Sequence, residues 1–206
     1  MTQGVEKSLI EQGVLVDPQS ARGRLLTQAA RLFRQKGYQS TTVRDLASAV
    51  GILSGSLFHH YQNKEAILKA VMVEGIHHTM ARMRSELAEE HTTQGRLRAL
   101  IACELDALNG DWGDAMAVVI NEWRFLSDGG QQDILALREE YEQMWLEILY
   151  QARKERLITA SPKVLRKLLY GAITWTDKWF DSRGKLSYQE LTDTILQLAI
   201  KPASDP

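Results

Sequence analysis

The chain has 206 residues, 44% hydrophobic and 25% charged, a formal net charge of −1 and one cysteine, Cys103. That is enough apolar material for one small domain and a larger one with its own core, and a lone cysteine excludes an intrachain disulfide and fits a reducing, cytoplasmic setting. No apolar run approaches the ~20 residues a membrane span requires, and the opening MTQGVEKSLIEQG lacks the basic-then-apolar order of a signal peptide.

In chain order, residues 1–17 read as a flexible extension, too poor in positive charge to serve as a minor-groove arm. A helix then covers the stretch RGRLLTQAARLFRQKG that begins at Arg22. The run TTVRDLASAVGILSGSLFHHYQNKEAIL, Thr41 to Leu68, follows. Thr42 with Asp45 three residues on is a capping-box pattern, and Val43, Leu46, Ala47 and Val50 recur at helical spacing behind it. Gly51 stands where the chain must turn out of the helix through a left-handed conformation. Ser54 is placed to cap a second short helix to about Tyr61, with Leu57 and Tyr61 facing inward and Gly55, Ser56, Phe58, His59 and His60 facing out. Asn63 caps a third helix that starts at Lys64, where a helix N-terminus and an ammonium group together suit a phosphate.

Two short helices across a glycine turn have the spacing of a helix-turn-helix, which seats its second helix in a DNA major groove. Such pairs also occur in proteins that never touch DNA, and the charge distribution separates the cases. From Pro18 to Ala70 there are eight Lys/Arg against two acids, a net of +6, which leaves −7 for the rest of the chain. A basic head on an acidic body is the electrostatic pattern of a duplex-binding module joined to a part with another task.

The residues from about Arg22 to Leu68 resemble the TetR-type bacterial transcriptional regulators. The landmarks are Ala29, Ala30, Leu32, Phe33, Gly37, Tyr38, Thr42, Val43, Leu46, Ala47, Gly51, Ser54, Gly55, Leu57, Lys64 and Glu65. The family usually has Tyr at the position of Phe58 and Phe at that of Tyr61. The phosphate bond of the usual Tyr hydroxyl is therefore absent here, and the Tyr61 hydroxyl needs a partner inside the head. The DNA-binding set is Thr42, Arg44 and Lys64 on phosphates, with Ser54, Gly55, Ser56, Phe58, His59 and His60 on the face toward the bases.

Beyond the head every segment reads as helix: Lys64 to about Glu90, Gln94 to Asn109, Trp112 to about Leu126, Gln131 to about Arg156, Pro162 to about Asp181, and Ser187 to about Ile200. Ser127-Asp128-Gly129-Gly130 reads as a turn, Ser161-Pro162 as a helix start, and Ser187 with Glu190 as a second capping box. The closing KPASDP reads as disordered. The fold class is all-α, nine helices without a strand. It divides into the extension 1–17, a DNA-binding domain 18–66 and a ligand-binding and dimerisation domain 67–206.

The resemblance implies a homodimer built from the last two helices. Half-sites about 34–36 Å apart, or a multiple of that, give an independent reason for two-fold symmetry. Candidate interface residues are Leu165, Leu168, Leu169, Ala172, Trp175, Leu191, Ile195 and Leu198; each is also suited to an intrachain core. The resemblance further implies a small-molecule effector. Met80, Met83, Met116, Trp123, Tyr141, Met144, Trp145 and Trp175 are the candidate pocket, being adaptable methionines and aromatic groups. The stretch YGAITWTDKWFDSRGKLSYQEL resembles members that sense acyl-CoA thioesters, with Lys178, Arg153 and Arg124 as cations available to CoA phosphates.

No cofactor, catalytic residue or metal site is expected. His77 and His78 are adjacent on a helix and point about 100° apart. The pairs Glu139-Glu140 and Glu89-Glu90 sit on exposed faces and do not converge, and no phosphate-binding or nucleophile-elbow motif occurs. The reading is a ligand-responsive repressor whose partners are duplex operator DNA, a second copy of the chain and a small apolar effector, with no membrane. An all-helical interaction module or enzyme without DNA binding is the alternative, and it leaves the acid-free outer face of residues 54–60 without a reason.

Overall fold

The structure, a computed structural model, describes residues 2–201; the terminal segment read as disordered lies outside them beyond Lys201. Its elements in order are α1 (Thr2–Glu11), α2 (Ala21–Lys36), α3 (Val43–Ala49), α4 (Ser54–Leu57), α5 (Lys64–Glu89), α6 (Thr93–Asn109) and α7 (Gly113–Asn121). A 3-10 turn (Trp123–Phe125), α8 (Asp128–Lys154), α9 (Pro162–Trp175), a second 3-10 turn (Thr176–Lys178) and α10 (Tyr188–Ala199) complete it. No strand occurs among the described residues.

Among the described residues there are ten helices where nine were expected, and the addition is α1, within the segment read as a flexible extension. Beyond α1 the chain turns at Gly13 (φ +73°), buries Leu15 and donates the Val16 N–H to both carboxylate oxygens of Glu74, at 3.1 and 3.2 Å. Burial raises the Glu74 pKa, against the pull of that backbone bond and of Arg22.

Other boundaries follow from local chemistry. Asp128, Gly129 and Gly130, expected as a turn, form the first residues of α8: Ser127 Oγ accepts from Gly130 N, and Ser127 N donates to Glu65 Oε1 at 2.8 Å. The segment from Trp112 ends as an α-helix at Asn121 and tightens into the first 3-10 turn. Both capping boxes form, Thr42 with Asp45 and Ser187 with Glu190. Asn63 Oδ1 accepts from Ala66 N at 2.8 Å, as a helix start requires.

Two compact units result. Met1–His78 with Trp112–Arg138 form the first, and Thr79–Asp111 with Glu139–Pro206 the second. In the first, Leu25, Leu26, Ala29 and Phe33 of α2 are buried with Leu46, Leu57, Ile67, Leu68 and Met72, and α2 packs along α7. In the second, Leu97, Leu100, Ile101 and Leu105 of α6 are buried with Trp145, Leu149, Ile173 and Ile195, and α6 packs against α9 and α10. α5 and α8 each begin in the first unit and end in the second.

Candidate nucleic-acid interface and ligand-binding core

Local bonds set the recognition element. Thr42 Oγ1 accepts from Asp45 N at 3.1 Å, and Asp45 Oδ2 accepts from Thr42 N at 2.8 Å. The Thr42 backbone and side-chain bonds, with Lys36 as a lesser cause, hold the Asp45 carboxyl below the usual range. Gly51 adopts φ +72° with nothing within 4 Å of where a Cβ would stand, so backbone conformation and not crowding calls for glycine there. Leu53, not Ser54, occupies the N-cap of α4, and no side chain caps this helix.

α4 ends at Leu57, short of the expected Tyr61. The following N–H groups of Phe58, His59 and His60 bond three residues back, to Gly55, Ser56 and Leu57, at 3.2, 3.3 and 3.0 Å. The chain thus keeps turning to Tyr61 in a tighter winding. Leu57 and Tyr61 are buried as the pattern requires. The Tyr61 hydroxyl has its partner: Arg22 Nε donates to it at 2.8 Å, with the guanidinium carbon 5.3 Å from the ring centroid.

On the opposite face Gly55, Phe58, His59 and His60 are exposed, Ser54 and Ser56 half-buried, and Thr42 and Arg44 exposed on α3 and its cap. Lys64 is arranged differently from these eight. Its Nζ donates to Tyr38 O at 2.8 Å and Thr41 O at 2.9 Å, and lies 4.1 Å from the Tyr38 ring centroid. Burial lowers its pKa. Two of three ammonium protons therefore clamp the loop between α2 and α3. Lys64→Met is expected to destabilise the fold by about 1–3 kcal/mol, read as a lower urea midpoint. An unchanged midpoint, with a salt dependence of DNA binding shallower by about one unit, would place its work at phosphate instead.

The second unit holds a buried charged cluster that the sequence reading missed. Arg166 of α9 is 2% exposed and Glu104 of α6 is 3% exposed. Arg166 Nη1 and Nη2 donate to the Glu104 oxygens at 2.9 and 3.2 Å, while Nε and Nη2 donate to Glu142 Oε1 at 3.2 and 2.8 Å. The guanidinium carbon lies 4.3 Å from the Trp145 ring, 5.5 Å from Tyr170 and 5.9 Å from Tyr141. Burial opposes the Arg166 charge, and the two carboxylates more than offset it, holding the pKa above its ordinary value. Burial raises the Glu104 pKa, with Arg166 pulling the other way. Among the described residues Tyr141 Oη and Trp145 Nε1 are buried without a hydrogen-bonding partner of acceptable geometry. The available signal was a charge inside an apolar stripe: Glu104 between Leu97, Leu100 and Leu108, and Arg166 between Pro162, Leu165, Leu169 and Ile173.

Of the candidate effector residues, Tyr141 and Trp145 thus meet around Arg166. Met80 and Met83 are buried and Met144 half-buried in the same unit, whereas Trp175 is 65% exposed. Met116 and Trp123 belong to the first unit. There Met116 Sδ lies 3.5 Å from where a Gly75 Cβ would stand, and the Arg138 guanidinium is 6.0 Å from the Trp123 ring. Among the cations considered for CoA phosphates, Arg153 donates to Ile158 O and Thr159 O, Lys178 pairs with Asp177, and Arg124 lies over Phe125.

The candidate dimer residues divide by exposure. Leu165, Leu169, Leu191 and Ile195 are intrachain core; Leu168 (64%), Trp175 (65%) and Leu198 (82%) are exposed, as is Ala172. Val164, Leu168, Ala172 and Trp175 leave an apolar stripe at helical spacing along the outside of α9, and Leu198 is exposed on α10.

A capped, basic helix-turn-helix whose second helix shows an acid-free face defines a DNA-binding transcriptional regulator and not an enzyme. The chain belongs to the TetR family. Residues 25–71 match the family described as bacterial regulatory proteins, tetR family, and residues 90–202 match the tetracyclin repressor-like C-terminal domain. It is 30% identical over 189 residues to the HTH-type transcriptional repressor KstR2 of Mycolicibacterium smegmatis, covering 89% of this chain and 90% of that one. Among solved structures, superantigen pfit is 48% identical with a TM-score of 0.86, covering 98% of this chain and all (100%) of that one. AibR, solved in complex with isovaleryl coenzyme A and operator DNA, is 26% identical with a TM-score of 0.81, covering 89% of this chain and 100% of its own.

Proposed function

We propose that the protein is a cytoplasmic repressor that binds a palindromic operator as a homodimer and is released by a small apolar effector, an acyl-CoA thioester being the class to test first. The observation that carries the reading is the outward set on the head: Thr42, Arg44, Ser54, Gly55, Ser56, Phe58, His59 and His60 reach solvent while Leu57 and Tyr61 hold the element from behind. The KstR2 relatives, named as transcriptional repressors, support the repressor reading, and the AibR complex with isovaleryl coenzyme A and operator DNA supports the effector class.

In this reading residues 18–66 are the DNA-binding domain and 67–206 the effector and dimerisation domain. The exposed stripe of Leu168, Ala172 and Trp175, with Leu198 of α10, pairs with its copy in an isologous interface. Effector bound among Tyr141, Met144, Trp145, Met80 and Met83 biases α5, which runs from the second unit back to the head at Lys64. Linkage then requires operator to weaken effector binding by the factor by which effector weakens operator binding.

The test is a gel shift of purified protein on its own upstream DNA with and without long-chain acyl-CoA. A dimer-sized shift that the thioester releases is the expected result. A shift that acyl-CoA leaves unchanged removes the proposed effector class, and no shift on promoter DNA at low salt removes the operator reading.

A further inference from the structure

The helix-turn-helix carries exposed large apolar side chains that its core does not use: Ile52 (38%), Leu53 (81%) and Phe58 (54%). Leu53 is the least protected of them and holds a position with a different ordinary occupant. At an N-cap, Ser, Thr, Asp or Asn would bond an orphan helix N–H, which a leucine side chain cannot do, and α4 has no side-chain cap bond. Leu53 therefore neither fills the core nor caps the helix, and its exposed isobutyl group is unfavourable in free solution.

The surroundings select its occupant. No carboxylate lies between Asp45 and Glu65, and the segment 18–70 has eight Lys/Arg to two acids, so the apolar tip sits on a surface complementary to a polyanion. In a helix-turn-helix the residues at the start of the second helix are those that meet base edges. Of the groups that base pairs present in the major groove, the thymine 5-methyl is the one an aliphatic side chain recognises; the others are hydrogen-bond donors and acceptors.

We propose that Leu53 reads a thymine 5-methyl group in each operator half-site, with Ile52 beside it closing off water. This rests on the DNA-binding reading above and adds to it a base preference that hydrogen-bonding residues on α4 do not supply.

The experiment selects a tight duplex from a randomised pool with the full-length protein, then replaces each thymine in turn by uracil. That exchange removes one methyl group and keeps every hydrogen-bonding atom. Wild type is expected to lose about 4-fold in affinity per half-site at one symmetry-related position. Leu53→Ser, which installs a capping side chain and so is expected to melt no lower than wild type, should bind the thymine and uracil duplexes equally at that position. It should keep wild-type sensitivity at any other thymine. Wild-type binding indifferent to methyl removal at every thymine, or full methyl sensitivity retained by Leu53→Ser, would overturn the assignment. A selection that enriches no duplex would overturn the DNA-binding reading and this inference with it, and the absence of any enriched duplex distinguishes that failure from the other two.

Discussion

Replacing Arg166 by leucine is expected to destabilise the second unit by about 3–5 kcal/mol, because it strands the Glu104 carboxylate in the core; for a chain of this size that is about 6–20 °C in melting temperature. The size of the deficit should depend on pH. Burial already raises the folded-state pKa of Glu104, and Arg166 is the largest influence pulling it down. A carboxyl whose pKa is raised on folding contributes stability below its unfolded pKa and loses it as pH rises through the folded value. Without Arg166 the folded value climbs further. The variant should lie closest to wild type in acid and farthest from it at neutral and alkaline pH. Adding Glu104→Leu should recover most of the loss, since an apolar pair can replace a buried ion pair at little cost. Urea titrations at several pH values test this. A deficit independent of pH, with no recovery in the double variant, would mean that Arg166 acts through its packing on Trp145 and not through charge.

Leu168→Glu addresses the other large effect, with opposite consequences for fold and function. Leu168 is 64% exposed on α9, so the isolated subunit should accept the change with a stability effect within about 0.5 kcal/mol. In the proposed isologous dimer, a carboxylate on each copy of the stripe would face its own symmetry mate or the apolar group beside it. The variant is expected to sediment as a monomer with an unchanged helical circular-dichroism spectrum. Operator affinity should fall by about 10²–10⁴-fold, the contribution of tethering two half-site readers together. If the variant sediments as a dimer, the stripe of Leu168 and Trp175, with Leu198, is not the seam that joins the subunits.

The head was legible because its signals are local. A capping box, a glycine with positive φ and apolar residues at helical spacing each act within a few residues, and all three formed at Thr42, Gly51 and Leu46. The demand of Tyr61 for a partner was also legible, as a polar atom on a buried face; that Arg22 meets it was not, since the two lie 39 positions apart. α4 ended early because the choice between bonding three and four residues back leaves little trace in composition. α1 was missed because its sequence has no acidic first turn and no basic last turn to mark it, and the bond that fixes the chain just after it, Val16 to Glu74, joins positions 58 apart. The division of the dimer candidates into Leu165 inside and Leu168 outside rests on the angle at which α9 meets its neighbours, which one apolar stripe does not encode. The cluster of Arg166, Glu104 and Glu142 passed unnoticed for a related reason. A charge within an apolar stripe looks like a fault in the pattern until the opposing helix supplies the countercharge.

A helix of four residues has no stability of its own, and α4 takes its rigidity from Leu57 and from Tyr61 under Arg22. The side chains that fasten it and those that face outward are disjoint sets. Substitutions at Leu53, Ser54, Ser56, His59 and His60 can therefore alter which sequence the protein prefers while leaving the scaffold nearly as stable as before. Related regulators could in this way diverge in their targets through a handful of surface changes, each viable alone, with no need to pass through an unfolded or inactive ancestor.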